Sequence, residues 1–182
     1  MAYRLLRVWR PRGRARLRTI TLAHDTKVTY RCNRSDLLSL REVWVDEVYR
    51  LPTDARPRSF VDLGANIGLA SVWFARTYRC ELIVAVEPLP DNARLLRRNL
   101  QQNGIAATVL ECAVGPPAGQ AGFAPSEGPN SGRLAPDGGL AVEVCSMDGV
   151  LAALGAHDGG ADVVKIDIEG AEGDLLLSLI HI

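Results

Sequence analysis

Nothing in the 182 residues approaches the run of roughly twenty apolar side chains that a membrane-crossing helix needs. The N-terminus also lacks the apolar stretch of a secretory leader, so the reading is a soluble, cytoplasmic chain with no membrane span. Cysteines are few and dispersed. Cys32, Cys80, Cys112 and Cys145 show none of the paired spacing of zinc sites or redox motifs, and are read as reduced core residues. His24, His157 and His181 are equally scattered. No metal cluster and no Ser/His/Asp arrangement is legible, which removes several enzyme classes.

A net charge is missing too, since 21 basic residues balance 21 acidic ones, but the balance is not uniform. Residues 1–60 hold 14 basic and 6 acidic side chains, and residues 61–182 hold 7 and 15. Much of the basic excess is Arg4, Arg7, Arg10, Arg12, Arg14, Arg16 and Arg18, a density also found in nucleic-acid patches, membrane surfaces and transit peptides. Arg14, Arg16 and Arg18 alternate with Ala15, Leu17 and Thr19, the period of a strand with one wet face. A solvated face is therefore preferred, and no nucleic-acid partner is expected.

With 47% hydrophobic and 23% charged residues, the chain can bury a core of ordinary size. It divides near Pro57 into a basic strand and helix lead, 1–57, and a region of alternating strands and helices, 58–182. In the lead, Ser35 is placed to cap a helix whose Leu37, Leu40, Trp44 and Val48 form an apolar core stripe. Downstream the pattern predicts a strand Ser59–Leu63, a Gly-rich turn and a helix Leu69–Tyr78. A strand Leu82–Val86, a helix Asp91–Asn103 stopped by Gly104, and a strand Thr108–Cys112 follow. Gly115 to Gly139 is dense in Gly and Pro and reads as a long loop or loose hairpin with no central strand; Pro116 to Asp137 within it is a candidate substrate cover. A strand Ala141–Cys145, a short helix Asp148–Leu154, a strand Asp162–Ile168 and a helix Ala171–Leu179 complete the pass. This alternation predicts an α/β fold, a mainly parallel sheet covered on both faces.

Three clusters carry chemistry. In FVDLGANIG, Phe60 to Gly68, an acidic residue ends an apolar strand and glycines bracket the turn into a helix, where backbone can approach a ligand. The series Gly64, Asn66, Gly68 lacks the middle glycine of the dinucleotide fingerprint, and Asp62 would repel a pyrophosphate. S-adenosylmethionine (SAM), which bears an ammonium and a sulfonium and no phosphate, suits a carboxylate there. Glu87 ends the next strand and is placed to accept hydrogen bonds from ribose hydroxyls. In VVKIDIEGAE, Val163 to Glu172, Lys165, Asp167 and Glu169 share one strand face, which calls for mutual pairing or a ligand pocket.

The ordered set Asp62, Gly64, Asn66, Gly68, Glu87, Pro88, Asn92, Asn99, Glu111 to Gly115, Asp148 and KIDIEGAE resembles the FkbM methyltransferases. Arg31, Ser35 and Asp36 with the helix around Trp44 to Tyr49 are similar to that family's lead. The resemblance implies a Rossmann-like, doubly wound class I SAM methyltransferase fold. It implies methyl transfer to a hydroxyl of a small molecule such as a sugar or polyketide. Asp62, Gly64, Asn66 and Gly68 would hold the methionine end of SAM, Glu87 and Pro88 the ribose, and Glu111, Cys112 and Ala113 the adenine. Asp167, then Glu169, are nominated as general base. Either is also able to hold the SAM amino group, and with no third ligand in view no metal is assigned.

A full sheet of that class has seven strands in the order 3-2-1-4-5-7-6, whereas this chain stops shortly after the fourth, so a fragment missing the last strands is expected. A catalytically inactive SAM-binding fragment or interaction module is one alternative function. A NAD-dependent oxidoreductase is the other, opposed by the missing glycine. No oligomeric state is read.

Overall fold

Two short apolar runs make the centre of the sheet. In the computed structural model, which describes residues 16–115, 118–125, 132–134, 139–155 and 160–168, β3 (Ser59–Leu63) is buried along its whole length and β4 (Leu82–Val86) from its second residue on. They pair in parallel with Phe60 opposite Ile83 and Leu63 opposite Val86. β5 (Thr108–Leu110) joins the far side of β4, and β10 (Val163–Ile166) the far side of β3, both parallel. The order β10-β3-β4-β5 is the 4-1-2-3 portion of the sheet expected above.

Alternation along each strand divides the core. Phe60 and Ile83 face α2 (Leu69–Tyr78), where Phe60 stacks on Phe74 at 3.8 Å between ring centres. Ala85 on the same face meets Leu96 and Leu100 of α3 (Pro90–Gln102). Val61, Leu63, Val84 and Val86 face the other way, onto Val150 and Leu154 of α4 (Met147–Leu154). The sheet is thus covered on both faces, which is why its strands read as unbroken apolar runs.

The lead is tied into this core. β1 (Leu17–Thr21) and β2 (Lys27–Arg31) form an antiparallel hairpin, and Val28, Tyr30 and Val43 lie in one cluster with Phe60 and Phe74. β1 has no single wet face, since Leu17 and Thr19 are exposed along with Arg18. On α3, Asn99 serves as a strand partner: its Oδ1 accepts from the Thr29 N–H at 2.7 Å and its Nδ2 donates to the Thr29 carbonyl at 2.9 Å. In α1 (Arg34–Trp44) the cap is Asn33, not Ser35, because Asn33 Oδ1 accepts from the Asp36 N–H at 2.7 Å. The expected stripe holds only in part: Leu40 and Trp44 pack against the core, and the helix ends before Val48. Leu37 (48% exposed) and Val48 (56% exposed) face out, while Asp36 and Val43 are buried, because the Asp36 carboxylate turns inward to Arg31.

A second sheet, of order β6-β9-β7-β8, overturns three expectations. The third strand ends at Leu110, and after Glu111 and Cys112 the chain enters β6 (Ala113–Val114), parallel to β9 (Leu140–Cys145). Within the supposed loop, β7 (Gly119–Pro125) pairs antiparallel with β9 on one side and β8 (Gly132–Leu134) on the other, so it is an interior strand despite its glycines. Phe123 anchors it against Val142 and Val144, the packing that local composition could not show. Finally, Cys112 and Cys145 are joined in a disulfide, brought within reach by the β6–β9 pairing; Cys32 is exposed and Cys80 half-buried. The reading of all four as reduced core residues thus fails at Cys112 and Cys145, which are bonded, and at Cys32, which is exposed; Cys80 is free and packs against the core. The last strand runs Val163–Ile166, shorter than expected, since Asp162 instead accepts from the Arg58 and Ser59 N–H groups at 2.8 and 2.9 Å. Among the described residues no helix is long and apolar enough to cross a membrane. Arg4 to Arg14, much of the Pro116–Asp137 segment, Glu169 and the helix expected at Ala171–Leu179 lie outside the described residues.

Candidate cofactor site

The turn after β3 alternates into the left-handed region at Gly64 (φ 72°), Asn66 (φ 51°) and Gly68 (φ 82°). Asparagine is among the few side chains that accept this conformation at low cost, which explains a non-glycine at its middle. The Gly64 and Ala65 N–H groups donate to the Val86 carbonyl at 3.0 and 2.9 Å, fastening the turn over the end of β4. A Cβ on Gly64 would overlap the Asp167 carbonyl oxygen, and one on Gly68 would meet the end of Leu96. Packing of the chain on itself thus requires the glycine at Gly64, while at Gly68 it is the positive φ that favours one.

One flank of the turn is a buried charge cluster. Asp62 is fully buried and accepts from Ser71 Oγ at 2.6 Å and from Lys165 Nζ at 2.9 Å. Lys165 Nζ also donates to the Gly64 carbonyl at 3.0 Å and the Leu63 carbonyl at 3.4 Å, with Asp167 Oδ2 at 3.5 Å. Burial opposes the charge of Lys165, but the carboxylates of Asp62 and Asp167 outweigh it and hold the amine above its usual pKa. The charge of Asp62 is therefore met inside the protein, and the spacing of Lys165 reflects pairing.

The other flank converges on Glu87, itself only 4% exposed. Glu87 Oε2 accepts from the Asn66 N–H at 2.8 Å, and Oε1 accepts from the Leu89 N–H at 2.9 Å and from Asn92 Nδ2 at 3.1 Å. Asn92 Oδ1 in turn accepts from Arg31 Nη1 at 2.8 Å, and Arg31 holds Asp36 through a two-pronged ion pair with both contacts at 3.0 Å. Burial pushes the Glu87 carboxyl up from its ordinary value, and the three donors pull part of the way back.

A shallow pocket lies over the turn, between α1 and the Lys165 flank, and Glu87 is not among the residues that line it. Gly64, Asn66 and Asp167 line it, as expected from sequence, together with Lys165. Ser39 and Glu42 of α1 and Tyr49 after it also line it and were not foreseen. Ser39 and Glu42 are three apart and share a helix side with Ser35 and Asp36, so nothing in the sequence set them off from an ordinary polar face. Burial raises the Tyr49 hydroxyl pKa, against the pull of Lys165. The remaining nominees are elsewhere. Pro88 is half-buried beside Glu87, and the Glu111 carboxylate pairs with Arg97 at 2.7 Å on the surface of α3. Cys112 and Ala113 turn their side chains into the two cores around β6. No group of three or more metal-ligating side chains occurs among the described residues.

The profile of the Methyltransferase FkbM domain matches residues 62–180, more than half of the chain. Methyltransferase sdnD of Sordaria araneosa is 36% identical over 81 residues, covering 43% of this chain and 31% of that protein. Methyltransferase 1 of Beauveria bassiana (strain ARSEF 2860) is 25% identical over 162 residues, covering 76% and 65%. The chain thus spans about a third of the first relative and just under two thirds of the second. A crystal structure of Methyltransferase FkbM from Methylobacillus flagellatus KT superposes with a TM-score of 0.50 at 19% identity, over 75% of this chain and 32% of that one, and confirms the fold. With Asp62 opening the matched segment and the parallel sheet arranged as found, the chain belongs to the FkbM methyltransferase family.

Proposed function

We propose that the chain forms the SAM-binding part of a methyltransferase acting on a hydroxyl of a small molecule, such as a sugar or polyketide product. The observation that carries this reading is the junction of Asn66 and Glu87, where the turn after one parallel strand donates to a buried carboxylate ending the next. A carboxylate offers about four acceptor positions, and three are filled here; the fourth, on Oε2, is free to take a ribose hydroxyl. The residues present fit the group, with one redistribution. Asp62 and Lys165 act as the rigid floor of the turn, and Asp167, whose side chain is 60% exposed, faces the pocket with Glu42 of α1.

When bound, SAM supplies an electrophilic methyl group on a good leaving group. What the protein must add is alignment of the acceptor oxygen and removal of its proton. Asp167 is the first choice as base, since it lines the pocket beside the Gly64 turn, and Glu42 and Tyr49 are placed to hydrogen-bond a hydroxyl-rich acceptor.

Calorimetric titration with SAM tests the cofactor. The expected result is one site per chain, weakened about 10- to 100-fold in Glu87→Gln, the worth of a hydrogen bond to a charged group. Binding of NAD with none of SAM would overturn the reading in favour of an oxidoreductase. Transfer of labelled methyl to sugar and polyketide alcohols then tests the acceptor; SAM binding without transfer to any acceptor would mark a non-catalytic module.

A further inference from the structure

We infer that Arg31, in the N-terminal lead, is a positioning residue that sets, through Asn92, the orientation in which Glu87 meets the cofactor ribose; this rests on the SAM reading above. Arg31 is 8% exposed, Asp36 0%, Asn92 1% and Glu87 4%, so the whole chain of contacts is buried. Burying an ion pair of this kind adds little stability over an apolar replacement, which leaves the organisation of neighbours as its physical effect.

The logic lies in donor and acceptor parity. A guanidinium only donates. Nε and Nη2 are taken by the two Asp36 oxygens, and Nη1 points at Asn92 at 2.8 Å. The Asn92 end that meets it must be the carbonyl oxygen, so the amide nitrogen is the end that faces Glu87 Oε1, at 3.1 Å. Reversing the amide would set donor against donor at Arg31 and acceptor against carboxylate at Glu87. Arg31 therefore enforces a donor on Oε1, where the Leu89 N–H also points, and the open acceptor position falls on Oε2 beside Asn66. Arg31 Nη2 also approaches Asn66 Oδ1 at 3.5 Å, so the guanidinium touches both halves of the junction. Asp62 is the other charge acting on Glu87, and it raises the carboxyl pKa.

Arg31→Lys is the first test, because lysine keeps a positive charge for Asp36 but has no fork to reach Asn92 as well. SAM affinity should fall about tenfold. Asn92→Leu cuts the link without touching the ion pair, and should act in the same direction should the first variant fold poorly. In a Glu87→Gln background, Arg31→Lys should add less than about twofold, since both changes act through one contact. In the chain without ligand, carbon NMR of the Glu87 carboxyl should show its titration midpoint rising in both variants, whereas general loosening of the lead would admit water and lower it. Unchanged affinity and midpoint in both variants, or fully additive losses in the double variant, would overturn the proposal while leaving SAM binding intact. A parent chain that binds no SAM would overturn the cofactor reading itself and this inference with it.

Discussion

The two flanks of the Gly64–Gly68 turn use the same raw material, a buried cation against a buried carboxylate, in opposite ways. On the β10 side, Lys165 spends its ammonium donors on Asp62 and two backbone carbonyls of the same turn, and Asp62 accepts from Ser71 as well. That cluster mainly locks the turn, with Asp167 beside Lys165 facing the pocket. On the α3 side, the Arg31 fork engages Asp36 and Asn92, and Asn92 passes the contact to Glu87, which retains an open acceptor position. A compact point charge suits a structural lock, while a rigid planar fork suits a relay that must end at a ligand. The lysine flank should thus govern folding and the arginine flank binding.

The largest expected effect is Lys165→Met. It strands the fully buried Asp62 carboxylate and should cost about 3–5 kcal/mol in urea denaturation. Removing both partners, Lys165→Met with Asp62→Leu, should recover most of that loss, because an apolar pair replaces a charged one. A Lys165→Met chain that keeps its stability but loses SAM affinity would put the two flanks on the same footing.

Much of this region was legible because its signals are local. β3, α2 and β4 have the bounds expected, each being an apolar run or an amphipathic stretch closed by a sharp turn. The spacing of Lys165 and Asp167 correctly placed two charges together, and the acidic ends of β3 and β4 stood out. Direction was the missing part: nothing in sequence shows that Asp62 turns under the turn to Ser71 while Glu87 turns over it to Asn66. Contacts between distant segments left no trace either. The Arg31–Asn92 bond spans 61 residues, the Cys112–Cys145 link spans 33, and β7 earns its interior place from β9 rather than from its own Gly-rich composition.

The glycines separate the flanks at smaller scale. Gly64 packs against the backbone of Asp167 on the lysine side, and Gly68 against the side chain of Leu96 on the α3 side. Both hold positive φ, so an alanine at either costs about 1–2 kcal/mol from backbone conformation alone. At Gly64 the clashing atom is a carbonyl oxygen fixed by the strand end, and the total should reach roughly 3 kcal/mol or more. At Gly68 a rotating Leu96 can absorb the methyl group, and the loss should stay near the conformational figure. Paired denaturation curves check this ranking; equal losses would mean that the lysine flank is as yielding as the other.

Protons distinguish the flanks last, and most gently. Lys165 is held above its ordinary 10.5, so its contribution to stability is complete below that pH and is lost only as pH rises through the higher folded value. Glu87 is also raised, from an ordinary 4.5, so its contribution to stability is complete below that value and falls away as pH rises through the folded pKa. Cofactor affinity must run the other way at Glu87, because only the carboxylate can accept from Asn66, Leu89, Asn92 and a ribose hydroxyl together. Above 4.5, then, acidification should weaken SAM binding as Glu87 takes up its proton, while the ligand-free chain gains stability from the same proton. Measuring the dissociation constant and the melting temperature in parallel from about pH 8 down to 4 reads both. A decline in affinity on acidification, absent in Glu87→Gln, is the expected outcome. An affinity that follows pH in the parent chain no differently from Glu87→Gln would show that Glu87 does not meet the ligand, and would leave the arginine flank as structural as the lysine one.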